Sequence, residues 1–199
     1  MVPRPDVSEE RRTQILDTAE EVFASHGFEG ANMDLIAERS GLSKGAVYWY
    51  FKKKDDIISA LLDRVFRHSI SGLRSIAAEP DSPRSRLLRI GEQISRDYQG
   101  MQRLMPIALE FYAMALRRKS VRKHLAGLYD ELLSILTPLV QEGVASGDFA
   151  PVEPRNAATL LIASYEGLGL VWSLSPKLVD WKSHGPLMAS VLMSGLERR

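Results

Sequence analysis

The 199-residue chain carries 26 basic against 25 acidic residues, a net charge of +1, so any affinity for a polyanion must come from a local patch. It has no cysteine, which excludes disulfides, thiolate catalysis and cysteine-ligated metals. Apolar residues make up 45% of it, enough to bury a core, yet no uninterrupted apolar run nears the roughly 18 residues of a membrane span.

Ser8 caps a first predicted helix over 8–26, with Glu9 and Glu10 in its first turn and Ile15, Ala19, Val22 and Phe23 on one face. Gly27 supplies the left-handed residue that ends it. Asn32 caps a second, MDLIAERS, which stops at Gly41, and Ser43 caps a third, KGAVYWYF. A fourth has two inward ridges, Ile57, Leu61, Val65 and Ile58, Leu62, Phe66, and runs to about residue 77, where AAEPDSPRS breaks it. Helical periodicity then continues around 87–94, 107–116, 120–145, 155–174 and 186–197, and no stretch alternates like a strand. The expected fold is all-α with about nine helices. Its amino-terminus, MVPRPDVSEERR, lacks a signal-peptide core, so the expected location is the cytoplasm.

Two short helices joined by a tight turn are the plan of a helix-turn-helix. Its helices cross closely, which requires a small residue, Ala37, in the first. The turn needs Gly41 for positive φ, and the second helix needs Val47 facing inward. With Val47 and Phe51 inward, Lys44 and Tyr48 share one outer stripe, and Gly45 and Trp49 the next. Residues 39–54 hold Arg39, Lys44, Lys52, Lys53 and Lys54 and no acid, whereas residues 1–38 hold three basic and nine acidic residues. Such a patch suits duplex DNA. The small Gly45 and Ala46 let a backbone approach base edges, with Lys44 placed to donate to guanine. Tyr48, Trp49 and Tyr50 offer donors to phosphate and sugar, and the lysines neutralise phosphates.

Residues 9–66, above all GLSKGAVYWYFKKKDDI, resemble the TetR family of bacterial transcriptional regulators. The resemblance implies an N-terminal three-helix DNA-binding domain over 9–66 and a larger helical effector-binding and dimerisation domain over 67–199. It implies base contacts from Lys44, Gly45 and Ala46, and phosphate or sugar contacts from Asn32, Ser43, Tyr48, Trp49, Tyr50 and Lys54. Lys53 stands where the family often has a serine capping the fourth helix, so that cap is expected to be weak or to come from elsewhere. The expected protein is a homodimeric repressor on a palindromic operator, responsive to a small, largely apolar effector and needing no cofactor. Candidate effector residues are Met101, Met105, Phe111, Tyr112, Met114, Tyr165, Glu166 and Trp172, and candidate interface residues are Ala163, Gly167, Leu187, Val191 and Leu192. A dimeric DNA-binding protein without an effector is the alternative.

Gly41-Leu42-Ser43-Lys44-Gly45 also fits the nucleophile elbow of serine hydrolases, but that elbow requires a preceding strand. MDLIAERS has the cap and periodicity of a helix, so no enzyme is expected. The histidines, His26, His68, His124 and His184, lie too far apart in sequence to suggest a metal site.

Overall fold

A computed structural model describes residues 7–102 and 104–197. Among them nine α-helices follow one another: α1 (Val7–Gly30), α2 (Met33–Ser40), α3 (Lys44–Tyr50), α4 (Lys54–Ala77), α5 (Pro83–Gly100), α6 (Met105–Arg117), α7 (Lys119–Ser146), α8 (Pro154–Leu174) and α9 (Trp181–Leu196). No strand forms among the described residues, only an isolated bridge between Phe149 and Glu197. Contacts divide the chain into two compact units. The first takes in Met1–Val65 and Arg103–Arg122, the second Phe66–Gln102 and Lys123–Arg199, so α6 groups with the amino-terminal helices.

In the first unit, Ile15, Leu16, Ala19, Val22 and Phe23 of α1 are buried with Ile36 and Ala37 of α2, Val47 of α3 and Ile57, Ile58, Leu61 and Leu62 of α4. The side chain of Val65, expected on the inward ridge of α4, lies outside the described set. Gly27 (φ 67°) breaks the last turn of α1 and folds Phe28 back against Phe23, their rings 6.0 Å apart. Arg64 of α4 reaches Asp17 (2.5 Å) and Glu20 (3.0 Å) of α1. Ile107, Ala108, Phe111 and Ala115 give α6 a buried face, and α6 lies against α1. At the junction of α6 and α7, Arg118 forms an ion pair with Asp55 in the first turn of α4.

In the second unit, α5 packs on α9 through small residues. A methyl group on Gly185 would sit 2.0 Å from the Ser95 Oγ, and one on Gly91 2.2 Å from the Tyr165 hydroxyl, distances only glycine tolerates. Above Gly169 lies the ring of Tyr98, which stacks on Trp181 at 4.5 Å, while Trp172 meets Trp181 edge-on at 6.0 Å. Burial pushes the Tyr165 phenol up to about 12, and burial, with the Glu166 carboxylate nearby, raises that of Tyr98 further. The buried Arg86 ties α5 to Ala77 O at 2.9 Å and to Glu142 of α7 at 2.5 Å.

Helix α9 starts five residues before the Pro186 at which the sequence places its beginning. Asp180 caps it, accepting from Lys182 N at 3.2 Å, and hydrogen bonds from Ser183 and Lys182 hold its carboxyl below the usual range. Pro186 lies inside the helix, where it forgoes one bond to residue 182.

By length and composition α8 is apolar enough to cross a membrane, with a mean hydropathy of 1.4, although Glu166 interrupts it. Its apolar residues divide between two faces. Ala157, Ala158, Leu161, Tyr165 and Trp172 are buried, whereas Leu160, Leu170, Val171 and Leu174 are between 43% and 74% exposed.

Candidate nucleic-acid interface

Asn32 enters α2 from an extended conformation, and its Oδ1 accepts from Leu35 N at 2.8 Å. Gly41 (φ 68°) ends α2 in the left-handed region, donating to Glu38 O and leaving Leu42 N to reach Ala37 O. Ser43 then caps α3, its Oγ accepting from Ala46 N at 3.1 Å. This hydroxyl is committed to a helix cap and follows a helix, which overturns the hydrolase elbow.

Val47 is fully buried, and its burial fixes what the short helix presents outward. Lys44 and Gly45 are exposed, Ala46 and Tyr50 half-buried, Tyr48 is 42% exposed and Trp49 68%. A side chain at Gly45 would meet only Ser43 Oγ, 4.0 Å away, so the backbone there is open to a ligand. Trp49 rests edge-on against Tyr50 with ring centroids 4.6 Å apart. A tryptophan this exposed loses burial energy that a covering partner would restore.

The lysines differ in their engagements. Lys52 donates to Tyr48 O at 3.0 Å, which neutralises the carboxyl end of α3. Lys54 turns inward: its Nζ donates to Phe28 O (2.5 Å) and Ala31 O (3.0 Å) and lies 4.0 Å above the Phe28 ring. Lys53 stays exposed. The missing serine cap of α4 is replaced from within, because Asp56 Oδ2 accepts from both Lys52 N and Lys53 N at 3.2 Å. An open cleft of about 500 Å³ is bordered by Asn32, Asp34, Tyr48 and the three lysines. Lys44 crosses to Asp34 of α2, with Nζ 2.6 Å from Oδ2, and that hydrogen bond raises the pKa of the ammonium.

Lys54 is therefore a positioning residue for the α1–α2 connection. Lys54→Ala should lower the melting temperature, since two carbonyls lose a charged donor, a loss of about 1–3 kcal/mol. Differential scanning fluorimetry would show it. An unchanged melting temperature with only a flatter salt dependence of DNA binding would make Lys54 purely a phosphate contact.

The remaining expected residues fall in both units. Met105, Phe111, Tyr112 and Met114 belong to the first, with Met105 and Phe111 buried. Met101, Tyr165, Glu166 and Trp172 belong to the second, where Tyr165 and Trp172 are buried in the aromatic packing described above. Sequence reasoning missed Asp34, Asp56, Tyr98 and Trp181. Asp56, three residues after Lys53, had a helix-start signal; the Tyr98–Trp181 stack joins residues 83 apart and had none. Among the described residues no group of three or more histidines and acids could hold a metal ion.

Helices α2 and α3, with their caps, the left-handed turn between them and the exposed, acid-free α3, define a helix-turn-helix DNA-binding protein. Residues 15–61 match the model of the bacterial regulatory proteins of the tetR family, and residues 83–186 match that of the BetI-type transcriptional repressor C-terminal region. The chain belongs to the TetR family and is a DNA-binding transcriptional regulator. Bacillus subtilis YfiR, an uncharacterized HTH-type transcriptional regulator, is 28% identical over 149 residues, 73% of this chain and 71% of its own. A TetR transcription regulator from Haloarcula marismortui shares the fold at a TM-score of 0.84 and 19% identity, covering 96% of this chain and all of its own. So does FadR from Bacillus subtilis, solved in complex with stearoyl-CoA, at a TM-score of 0.78 and 23% identity over 93% of this chain and 99% of its own.

Proposed function

We propose that the protein is a ligand-responsive repressor that acts as a homodimer on a palindromic operator. The observation that carries the dimer is the apolar stripe left uncovered on the last two helices. Leu160, Leu170, Val171 and Leu174 of α8 and Leu187 and Val191 of α9 are all at least 43% exposed, and Ala163 and Gly167 are exposed between them. A single subunit gains nothing from such a stripe, whereas a second copy related by a two-fold axis covers it with itself. Two recognition helices held by one dimer would meet half-sites one or more helical turns apart, ~34 Å each.

The effector reading has separate support. In the second unit the Tyr165 hydroxyl, the Trp181 Nε1 and the Asp97 Oδ2 are buried with no hydrogen-bond partner. Unpaired buried polar groups are costly, and a bound molecule or water would relieve them. The FadR structure supports a mainly apolar effector only by its likeness of fold. Ligand binding would favour a conformer whose two recognition helices are mis-spaced for DNA. Within the second unit the candidate contacts are Met101, Tyr165, Glu166 and Trp172.

Selection of bound duplexes from a random pool, followed by a compound screen for release, tests both parts. The expected result is an enriched palindrome and at least one releasing compound. A folded protein that enriches no sequence refutes operator binding, and an operator complex that no compound class releases favours regulation without an effector. Within the selected site, Lys44→Ala should relax preference at particular base pairs at a cost of about 1–3 kcal/mol.

A further inference from the structure

We propose that Asp34 is a specificity-determining residue, holding Lys44 in reserve so that the recognition helix engages DNA fully only where a base replaces the carboxylate. The inference rests on the reading that α3 lies in the major groove with Lys44 toward the base edges. Residues 39–54 contain no acid of their own, so the partner of Lys44 is supplied across the turn, from the first turn of α2. Both side chains are open to water, with 66% of the lysine and 57% of the aspartate exposed. An ion pair this exposed contributes little to folding, so stability gives no reason for it.

Its consequence falls on binding. Asp34 borders the same open cleft as Asn32, Tyr48, Lys52 and Lys53, the groups expected to face a phosphate backbone. It therefore sets a negative charge on the surface that must meet a polyanion. One of the three ammonium donors of Lys44 goes to Asp34, and while that pair is closed the lysine's charge is already neutralised when it meets a duplex. Where a guanine presents O6 and N7, two acceptors replace the carboxylate and the exchange is nearly balanced. Where none does, Lys44 stays paired with Asp34 and releases no counterion from the duplex. The pair thus penalises wrong sequences more than it weakens the right one, which is how discrimination is gained by disfavouring competitors.

The test is a double-mutant cycle on the full-length protein, with Asp34→Asn, Lys44→Ala and the pair, measured against the selected operator and a scrambled duplex over a range of salt. Asp34→Asn should tighten binding to the scrambled duplex by about fivefold at ~0.15 M salt, the counterion-release gain of one added phosphate contact, and steepen its salt slope by about 0.9. The operator should gain less, so the ratio of the two affinities falls. With Lys44→Ala in place, Asp34→Asn should leave that ratio unchanged. Equal gains on both duplexes, or the same fall in the ratio with Lys44→Ala in place, would overturn the proposal and leave simple repulsion. A wild-type protein that enriches no sequence would remove the reading beneath it, and Lys44→Ala with unchanged sequence preference would remove the base contact. Matching melting temperatures confirm that the variants are folded.

Discussion

Gly167→Arg is expected to leave the subunit folded, convert the protein to a monomer and weaken operator binding by about 100-fold or more. The first expectation follows from space: a side chain at Gly167 meets nothing within 4 Å, so the isolated chain can carry an arginine there. The second follows from place, since Gly167 lies one turn from Ala163 and between the exposed Leu160 and Leu170 on the uncovered stripe of α8. A charged side chain at the centre of close helix packing would be buried unpaired and hold the two copies apart. A monomer engages one half-site and loses the effective concentration of the second, a factor of about 10²–10⁴. Light scattering and binding titrations measure both. A Gly167→Arg protein that still dimerises would place the interface elsewhere, and a wild-type monomer at micromolar concentration would refute the dimer itself.

Gly185→Ala is expected to destabilise the protein, although the same exchange in an exposed helix interior stabilises it. The two effects compete and their sizes decide the sign. Alanine gains up to about 1 kcal/mol over glycine from helix propensity. Against this, the new methyl group would lie 2.0 Å from Ser95 Oγ and 2.7 Å from its Cβ, and Ser95 is buried, its hydroxyl donating to Gly91 O at 2.8 Å. Relief requires α5 and α9 to separate, an overpacking cost of typically about 1–3 kcal/mol and sometimes more. The melting temperature should fall by up to about 8 °C, at roughly 2–4 °C per kcal/mol in a chain of this size. Gly127→Ala on the exposed face of α7, where no atom lies within 4 Å, should raise it instead. Adding Ser95→Gly should recover most of the Gly185→Ala loss. Equal effects at Gly127 and Gly185 would show that the α5–α9 contact is looser than described.

The helix-turn-helix was legible because its signals are local. Asn32, Gly41, Ser43 and Val47 lie within sixteen residues, and each carries its instruction in its own side chain or in lacking one. The longer helices could be placed by periodicity and the two short ones by their caps, with the start of α9 placed five residues late. The grouping of α6 with the first unit was not legible, because Phe111 and Ala115 are apolar whichever neighbour buries them. At the DNA-facing surface, the sequence showed which side chains of α3 point outward but not what they touch. Lys44 and Lys54 look alike in a string of letters, yet one spans to a carboxylate ten residues away and the other to carbonyls 23 and 26 residues away. A side chain on four rotatable bonds leaves no periodic trace of where its end settles.

The two faces of α9 are under unequal constraint. Its inner face, at Gly185, Ala189 and Met193, is closed against the rest of its unit, and a side chain at Gly185 would collide with Ser95, whereas Leu187 and Val191 on the outer face answer only to whatever covers them. In the proposed homodimer, changes on the outer face would therefore alter the choice of mate at little cost in folding. If the proposed homodimer pairs through that face, duplicated regulators of this architecture could stop cross-pairing through a few substitutions there, each keeping its own operator free of mixed dimers.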